Sequence, residues 1–175
     1  EIVEHKNYIG GRYSVLSEVG MLPAQLLGLN EAKFKRFNNL IENKSFLKSL
    51  INNVSFISKC VSNGKKNSVI LNYDESSENL FKWYQQLTAE SLGKKNKGIF
   101  PIISSMPKDN HSLLQLYLDG PKNNFFTFFG VKKEKTNYLD NNNLFGKFSN
   151  LKSKSLKQIT QAQRHATQIV FKRKK

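Results

Sequence analysis

Two residues of this chain, Glu90 and Gln86, have types and a spacing that could support proton transfer. They lie four residues apart in segment 77–92, whose helical pattern makes such side chains neighbours. The predicted inward stripe of this helix consists of Leu80, Trp83, Tyr84, Leu87 and Ser91. At the edge of the stripe, partial removal from water would make a carboxylate a better base near neutral pH. A boundary glutamate without a chemical role is the more common result of such spacing, so the pattern alone does not establish catalysis.

A pair of glycines precedes an arginine at Gly10-Gly11-Arg12. Paired glycines let the backbone turn sharply and approach a ligand, and the guanidinium group of Arg12 could hold an oxyanion or a phosphate. The spacing matches neither a dinucleotide-binding fingerprint nor a P-loop. By itself, this motif is a weak indication of an anion site.

Among the three histidines, His111 has the most informative position. It is predicted to lie in the first turn of a helix that begins near Asp109. Backbone N–H groups at a helix start disfavour protonation of imidazole, so such a histidine could transfer protons near pH 7. An ordinary surface histidine is the alternative. His5 and His165 have no partner that the sequence identifies, and both are expected at the surface.

The composition indicates a folded chain without a nucleic-acid partner. Its 175 residues, 38% apolar and 11% aromatic, suffice for one domain with a core. The formal net charge of +15 could attract nucleic acid. However, the lysines are scattered among asparagines, and no RNA-binding signature of clustered rings and glycines occurs.

Cysteine usage and hydropathy favour a cytoplasmic protein. Cys60 is the single cysteine, which excludes an intrachain disulfide and a cysteine-rich metal site. The apolar runs are short and interrupted by charges, so we expect neither a membrane-spanning helix nor a membrane partner. Glu1 opens the chain without a basic-then-apolar leader.

The elements that must position these residues change in type along the chain. Apolar residues recur at helical spacing in segments 17–29, 30–41 and 45–58, before the break at Asn63-Gly64. The predicted order after this break is strand 68–73, helix 77–92, strand 98–103, helix 109–118 and strand 124–131. Pro101 argues against a central position for strand 98–103.

This alternation predicts an α/β fold, a three-layer sandwich in which helices cover both faces of a mostly parallel sheet. Active residues in such folds lie at strand C-terminal ends and nearby helix starts. Residues 132–154, rich in Lys, Asn and Ser, predict a surface loop. Residues 155–175 predict a C-terminal helix that docks through an apolar side made of Leu156, Ile159, Ala162, Ala166 and Val170.

Three blocks follow one another at residues 7–20, 83–94 and 108–121. The first contains Gly10-Gly11-Arg12, the second Gln86 and Glu90, and the third His111. Together they resemble the phosphoglucose isomerase family: its glycine-glycine-arginine signature, the helix bearing its base, and the segment with its ring-opening histidine. One departure is Glu18, where the family pattern usually has a small or apolar residue. The resemblance covers nearly the whole chain.

The resemblance implies a sugar isomerase (SIS) fold and the reversible conversion of glucose 6-phosphate and fructose 6-phosphate through a cis-enediol. Residues 1–131 would be part of the second sugar isomerase domain, and residues 155–175 a truncated docking helix of the same domain.

The same resemblance implies roles for individual residues. Glu90 would be the general base, and Arg12 would stabilise the charge of the enediolate. Gln86, together with the turn at Gly10 and Gly11, would bind the substrate. His111 would act in ring opening, and it would come from the partner subunit of a homodimer.

The resemblance implies no metal or organic cofactor. Two parts of the family pattern have no counterpart in this chain, namely the Ser/Thr-rich phosphate-binding loop and the C-terminal signature with its active-site lysine. We therefore expect an incomplete piece of the enzyme that is inactive, or nearly so, when isolated.

A non-catalytic sugar-phosphate-binding module is the alternative of a different class. Glu90 argues against it, because a sensor of sugar phosphates needs no base at that position.

Overall fold

The computed structural model of the chain describes residues 2–132, 151 and 154–174. It contains two compact units, Glu1–Lys59 and Cys60–Lys175. Most of the predicted surface loop 132–154 lies outside the described residues.

The first unit is helical. Its elements are a 3-10 helix (Gly11–Leu16), α1 (Glu18–Leu26), α2 (Glu31–Lys35), α3 (Asn38–Glu42) and most of α4 (Lys44–Ser62). Asparagine side chains begin two of these helices: Asn30 accepts a hydrogen bond from the N–H of Ala32, and Asn43 accepts one from the N–H of Phe46. The predicted helices 17–29 and 45–58 are confirmed, whereas segment 30–41 forms two short helices separated by a turn.

The second unit is built around a parallel three-stranded sheet. Its strands are β1 (Asn67–Asn72), β2 (Phe100–Ser105) and β3 (Asn124–Phe129). They lie in the spatial order β2–β1–β3. Val69 in the central strand is in register with Ile102 on one side and Phe126 on the other. Within the described sheet β2 is an edge strand, where a proline such as Pro101 is tolerated.

Helices cover both faces of this sheet, and they are α5 (Glu78–Leu92), α6 (Leu114–Asp119) and α7 (Leu156–Arg173). On one face, the ring of Phe81 from α5 contacts Phe129 at a centroid distance of 4.8 Å. Side chains alternate along a strand, so Phe126 points to the other face. There the rings of Tyr117 and Phe171, from α6 and α7, lie 5.4 and 4.7 Å from Phe126. The predicted α/β architecture is confirmed.

The core of the second unit lies on the face covered by α6 and α7. Its buried residues are Val69, Leu71, Tyr73, Met106 and Tyr117. The fully buried Ser104 hydroxyl shares a 2.8 Å hydrogen bond with the hydroxyl of Tyr117. Burial raises the pKa of Tyr117, so this bond is made by a neutral phenol at ordinary pH.

The C-terminal helix α7 docks through a different side from the one predicted. Leu156, at one end of the predicted apolar side, is 60% exposed, and Val170, at the other end, is also exposed. Thr167 is buried instead, and Phe171 packs between Phe126 and Phe128. The prediction of the docking face was therefore wrong, although the helix itself is confirmed.

Candidate active site

Helix α5 presents Gln86 and Glu90 on its exposed side. Phe81 and Thr88, seven residues apart, are the buried positions of this helix, because they share the face that packs on the sheet. Leu80 is 48% exposed, which contradicts its place in the predicted inward stripe. The buried face is rotated by about one residue from the prediction.

Gln86 and Glu90 are joined by a hydrogen bond. The Gln86 side-chain amide donates to Oε1 of Glu90 across 3.0 Å, as the four-residue spacing predicts. Both side chains are exposed, so the described residues do not supply the partial burial expected for Glu90. The hydrogen bond from the Gln86 amide limits the orientation of the Glu90 carboxylate. A carboxylate held in this way could accept a proton from a bound carbon acid.

Gln85 ties this helix to the edge of the sheet, a contact that sequence reasoning missed. Its side-chain amide donates to the backbone carbonyl of Pro101 in β2 across 2.9 Å. Gln85 is adjacent to Gln86, so the bond fixes the rotation of α5 at the position where the candidate pair begins. The signal in the sequence was a second glutamine next to Gln86, about a quarter of a turn away from the exposed side.

The turn at Gly10 and Gly11 does not need glycine for its backbone shape. Gly10 has φ −67°, and Gly11 begins the 3-10 helix; neither is among the residues with positive φ in the described part of the chain. A Cβ added at Gly11 would meet no atom within 4 Å. The backbone shape at Gly10 and Gly11 therefore does not use the positive φ values that glycine permits. What glycine provides here is an uncovered backbone next to Arg12, which agrees with the close approach of a ligand.

Two serines hold the 3-10 helix that carries Arg12. The buried Ser14 donates its hydroxyl to the carbonyl of Gly11 across 2.8 Å, and Ser17 donates to the carbonyl of Ser14 across 2.7 Å. The N–H of Tyr13 also donates to the carbonyl of Gly10. These bonds fix the backbone on both sides of Arg12.

His5 has a partner, contrary to the expectation of an isolated surface histidine. Its Nδ1 lies 2.8 Å from Oε1 of Glu18, the first residue of α1. Three hydrogen bonds lower the pKa of the Glu18 carboxyl: the largest effect is that of its own backbone N–H, followed by the His5 side chain and the backbone N–H of Lys6. The thirteen-residue separation gave no periodic signal from which sequence reasoning could have identified this pair.

His111 does not lie in the first turn of a helix, so that prediction was wrong. It follows a 3-10 turn at Lys108–Asn110, and α6 begins three residues later at Leu114. The reason is local: the side chain of Asp109 accepts a hydrogen bond from the N–H of Ser105 instead of capping a helix. The argument from a helix dipole therefore does not apply to His111, which lies in the loop between β2 and α6.

A cavity of about 310 Å³ lies at the carboxyl edge of the sheet. Its lining includes Tyr73 and Asp74 after β1, Met106 and Pro107 after β2, and Thr160 of α7. Burial raises the pKa of Tyr73. None of the predicted site residues lines this cavity, although parallel α/β folds commonly bind ligands at this edge.

The described residues contain no group of three His, Cys, Asp or Glu side chains arranged to bind a metal ion. No helix among them is long and apolar enough to cross a membrane.

The structure thus brings Gln86 and Glu90 together on one helix and Gly10, Gly11 and Arg12 together in one turn. The phosphoglucose isomerase family model matches residues 1–104, which include all five of these residues. This chain belongs to the phosphoglucose isomerase family. His111 lies beyond the part that the family model matches.

Individual relatives agree with this assignment. The chain is 40% identical to the glucose-6-phosphate isomerase of Methanocaldococcus jannaschii over 131 residues, 71% of this chain and 32% of that protein. It is 33% identical to the glucose-6-phosphate isomerase of Mycoplasma mycoides over 169 residues, 89% of this chain and 38% of that protein. The chain therefore spans about a third of the length of these phosphoglucose isomerase relatives.

The fold is also similar to a solved structure. A hypothetical protein of Thermus thermophilus superposes with a TM-score of 0.77 over 94% of this chain and 42% of its own, at 24% identity. This likeness supports the architecture of the chain.

Proposed function

We propose that this chain supplies the proton-transfer part of a glucose-6-phosphate isomerase. The observation that carries the proposal is the hydrogen-bonded pair of Gln86 and Glu90 on the exposed side of α5, in a chain of the phosphoglucose isomerase family. The substrates would be glucose 6-phosphate and fructose 6-phosphate, the substrate and product of a step of glycolysis and gluconeogenesis.

Glu90 is the general base of the proposed reaction. It removes the proton from C2 of the open-chain aldose and returns a proton to C1, through a cis-enediol. A carbon acid beside a carbonyl is weak, so the base must be held in position and the developing negative charge must be stabilised. The bond from Gln86 holds the carboxylate. Arg12 supplies the positive charge, from a backbone fixed by Ser14 and Ser17.

The turn at Gly10 and Gly11, with Gln86, forms part of the substrate-binding surface. The open space at Gly11 leaves its backbone accessible to the sugar. No cofactor has a role in this proposal, because a proton moves between adjacent carbons without net oxidation.

His111 assists the opening of the sugar ring in the proposed enzyme. We infer a homodimer in which His111 reaches the active site of the partner subunit. The position of His111 in a loop, outside the regular elements of its own unit, agrees with a residue that is presented outward.

The isolated 175-residue chain is expected to be inactive or nearly so. Binding energy from the phosphate normally supports the chemistry at the reacting carbons, and this chain spans about a third of its relatives. We assign the reaction to the cytoplasm, in accord with the single free Cys60.

The test compares Glu90→Gln with the matched control Glu42→Gln, which removes the same charge from an exposed position on α3. Each change is made in the native gene product that contains this chain, whose intact mass is recorded. Fructose 6-phosphate is incubated in D₂O, and incorporation of deuterium at C1 is followed by NMR. Loss of a general base should slow incorporation by about 100-fold or more, while the control stays near the wild-type rate.

Equal incorporation by Glu90→Gln and the control would refute the role of Glu90. Binding of fructose 6-phosphate by a wild-type protein that incorporates no deuterium would instead favour the non-catalytic module.

A further inference from the structure

His5 links two parts of the chain on either side of the Arg12 turn. Its Nδ1 lies 2.8 Å from the Glu18 carboxylate, and its Nε2 lies 3.1 Å from the backbone carbonyl of Ile9. The same Glu18 oxygen accepts a hydrogen bond from the N–H of Lys6 across 3.1 Å. The contacts therefore join residues 5–9 to the first turn of α1, and Gly10, Gly11 and Arg12 lie in the loop that they close.

Both ring nitrogens of His5 face hydrogen-bond acceptors. A neutral imidazole has one N–H, so it can donate to Glu18 or to the Ile9 carbonyl, but not to both. An imidazolium has two N–H groups and satisfies both acceptors. The complete set of contacts consequently requires the charged form of His5.

We propose that His5 and Glu18 are positioning residues for Arg12, and that they close the Gly10–Arg12 loop when His5 is protonated. We call the hydrogen-bonded pair of His5 and Glu18 the clamp. Its functional meaning rests on the proposed role of Arg12 in isomerisation. Joining residues 5 and 18 directly limits the conformations of the loop between them. Bonds of Ile9 N–H to Lys6 and of Tyr13 N–H to Gly10, both at backbone carbonyls, then fix the turn itself.

The His5–Glu18 pair is partly shielded from solvent and has other charged residues near it in the sequence. Glu18 and His5 are 27% and 35% exposed at their side chains, so the pair is partly shielded from solvent. The ammonium group of Lys6 lies over the Tyr8 ring, 5.8 Å from its centroid. Glu4 and Arg12 are the other charged residues between positions 4 and 18.

The pKa of Glu18 is lowered, so its contribution is present above the ordinary value for glutamate and is lost as the pH falls through the lowered value.

The experiment measures amide hydrogen exchange of Ile9 and Tyr13 by NMR in the 175-residue chain, corrected for intrinsic rates, from about pH 5 to pH 8. In the wild type we expect protection of these amides to fall as the pH rises, because a neutral imidazole can donate to only one of the two acceptors that face His5. Glu18→Gln should speed their exchange about fivefold in the acidic part of this range, because a charge-assisted bond is lost. Glu42→Gln, which removes an equal charge elsewhere in the unit, should leave them unchanged.

A second variant, His5→Phe, separates the clamp from a general effect on α1, because it retains the bond between Glu18 and the N–H of Lys6. It should abolish the pH dependence of protection. Identical exchange in Glu18→Gln and Glu42→Gln, or pH dependence that persists in His5→Phe, would overturn the proposal.

Neither readout requires turnover. A clamp found in a protein without isomerase activity would count against the proposed function alone, and a missing clamp in an active isomerase would count against the positioning role alone.

Discussion

Individual residues of the candidate site follow from the sequence where local geometry decides them. The four-residue spacing on a helix brings Gln86 to Glu90, as predicted. The pair of His5 and Glu18 depends on how the chain returns after a turn, which no spacing rule contains. The position of His111 depends on whether Asp109 caps a helix or bonds the end of β2, and the sequence permits both.

A buried hydrogen bond between two side chains contributes to the stability of the core at this scale. Tyr117→Phe removes the hydroxyl that bonds the fully buried Ser104 hydroxyl, which would then have no hydrogen-bond partner among the described residues. We expect a loss of about 1–2 kcal/mol in the free energy of unfolding, measured by urea denaturation. Ser104→Ala should cost a similar amount.

The double variant Tyr117→Phe with Ser104→Ala supplies the control. Because it removes both partners, its effect should be smaller than the sum of the two single effects by about 1 kcal/mol. Strict additivity would mean that the two hydroxyls are not coupled.

Elements were predicted more reliably than the faces through which they pack. Hydrophobic periodicity identified α5 and α7 as amphipathic helices, and both exist. Their buried faces were wrong because periodicity reports where apolar residues lie, whereas docking also depends on what each face meets. On α7, Phe171 meets an aromatic surface formed by β3, and this contact outweighs the aliphatic side that includes Leu156.

The start of α7 can be tested through its capping box. The Ser155 hydroxyl accepts from the N–H of Gln158, and the Gln158 side chain accepts from the N–H of Ser155. Since Ser155 is almost fully buried, Ser155→Ala should destabilise the chain by about 1 kcal/mol in thermal or urea unfolding. Thr160→Ala, one turn later on the same helix, is the control and should change stability by less than about 0.5 kcal/mol. Equal effects of the two changes would show that the cap has no special contribution.

On the scale of the whole molecule, the parallel sheet was predictable because strand–helix alternation leaves few alternatives. Contacts between more distant parts of the molecule could not be predicted in this way, and the chain spans about a third of its phosphoglucose isomerase relatives. Helix α4 illustrates this: its apolar residues Phe46, Leu50 and Val54 recur every four residues and are all exposed. Their spacing is that of a buried stripe, yet the described residues do not cover it.

The exposed apolar residues of α4 should respond to substitution differently from the buried residues of the core. Replacing Leu50 and Val54 together by Gln should change the free energy of unfolding by less than about 1 kcal/mol, because Leu50 and Val54 remain 48% and 57% exposed in the folded chain. The same variant should bind a hydrophobic dye more weakly than the wild type, since it removes exposed apolar surface. Lys48→Gln on α4 is the matched control and should leave dye binding unchanged.

Leu71→Ala, a change in the buried core, should lower the free energy of unfolding much more than the α4 variant does. Leu71 is fully buried in β1, so its truncation should cost about 2–5 kcal/mol in urea unfolding without requiring any change in dye binding by the folded state. A loss of comparable size in the α4 variant would mean that Leu50 and Val54 are covered when the chain folds, and the exposed stripe would then have to be assigned to the core.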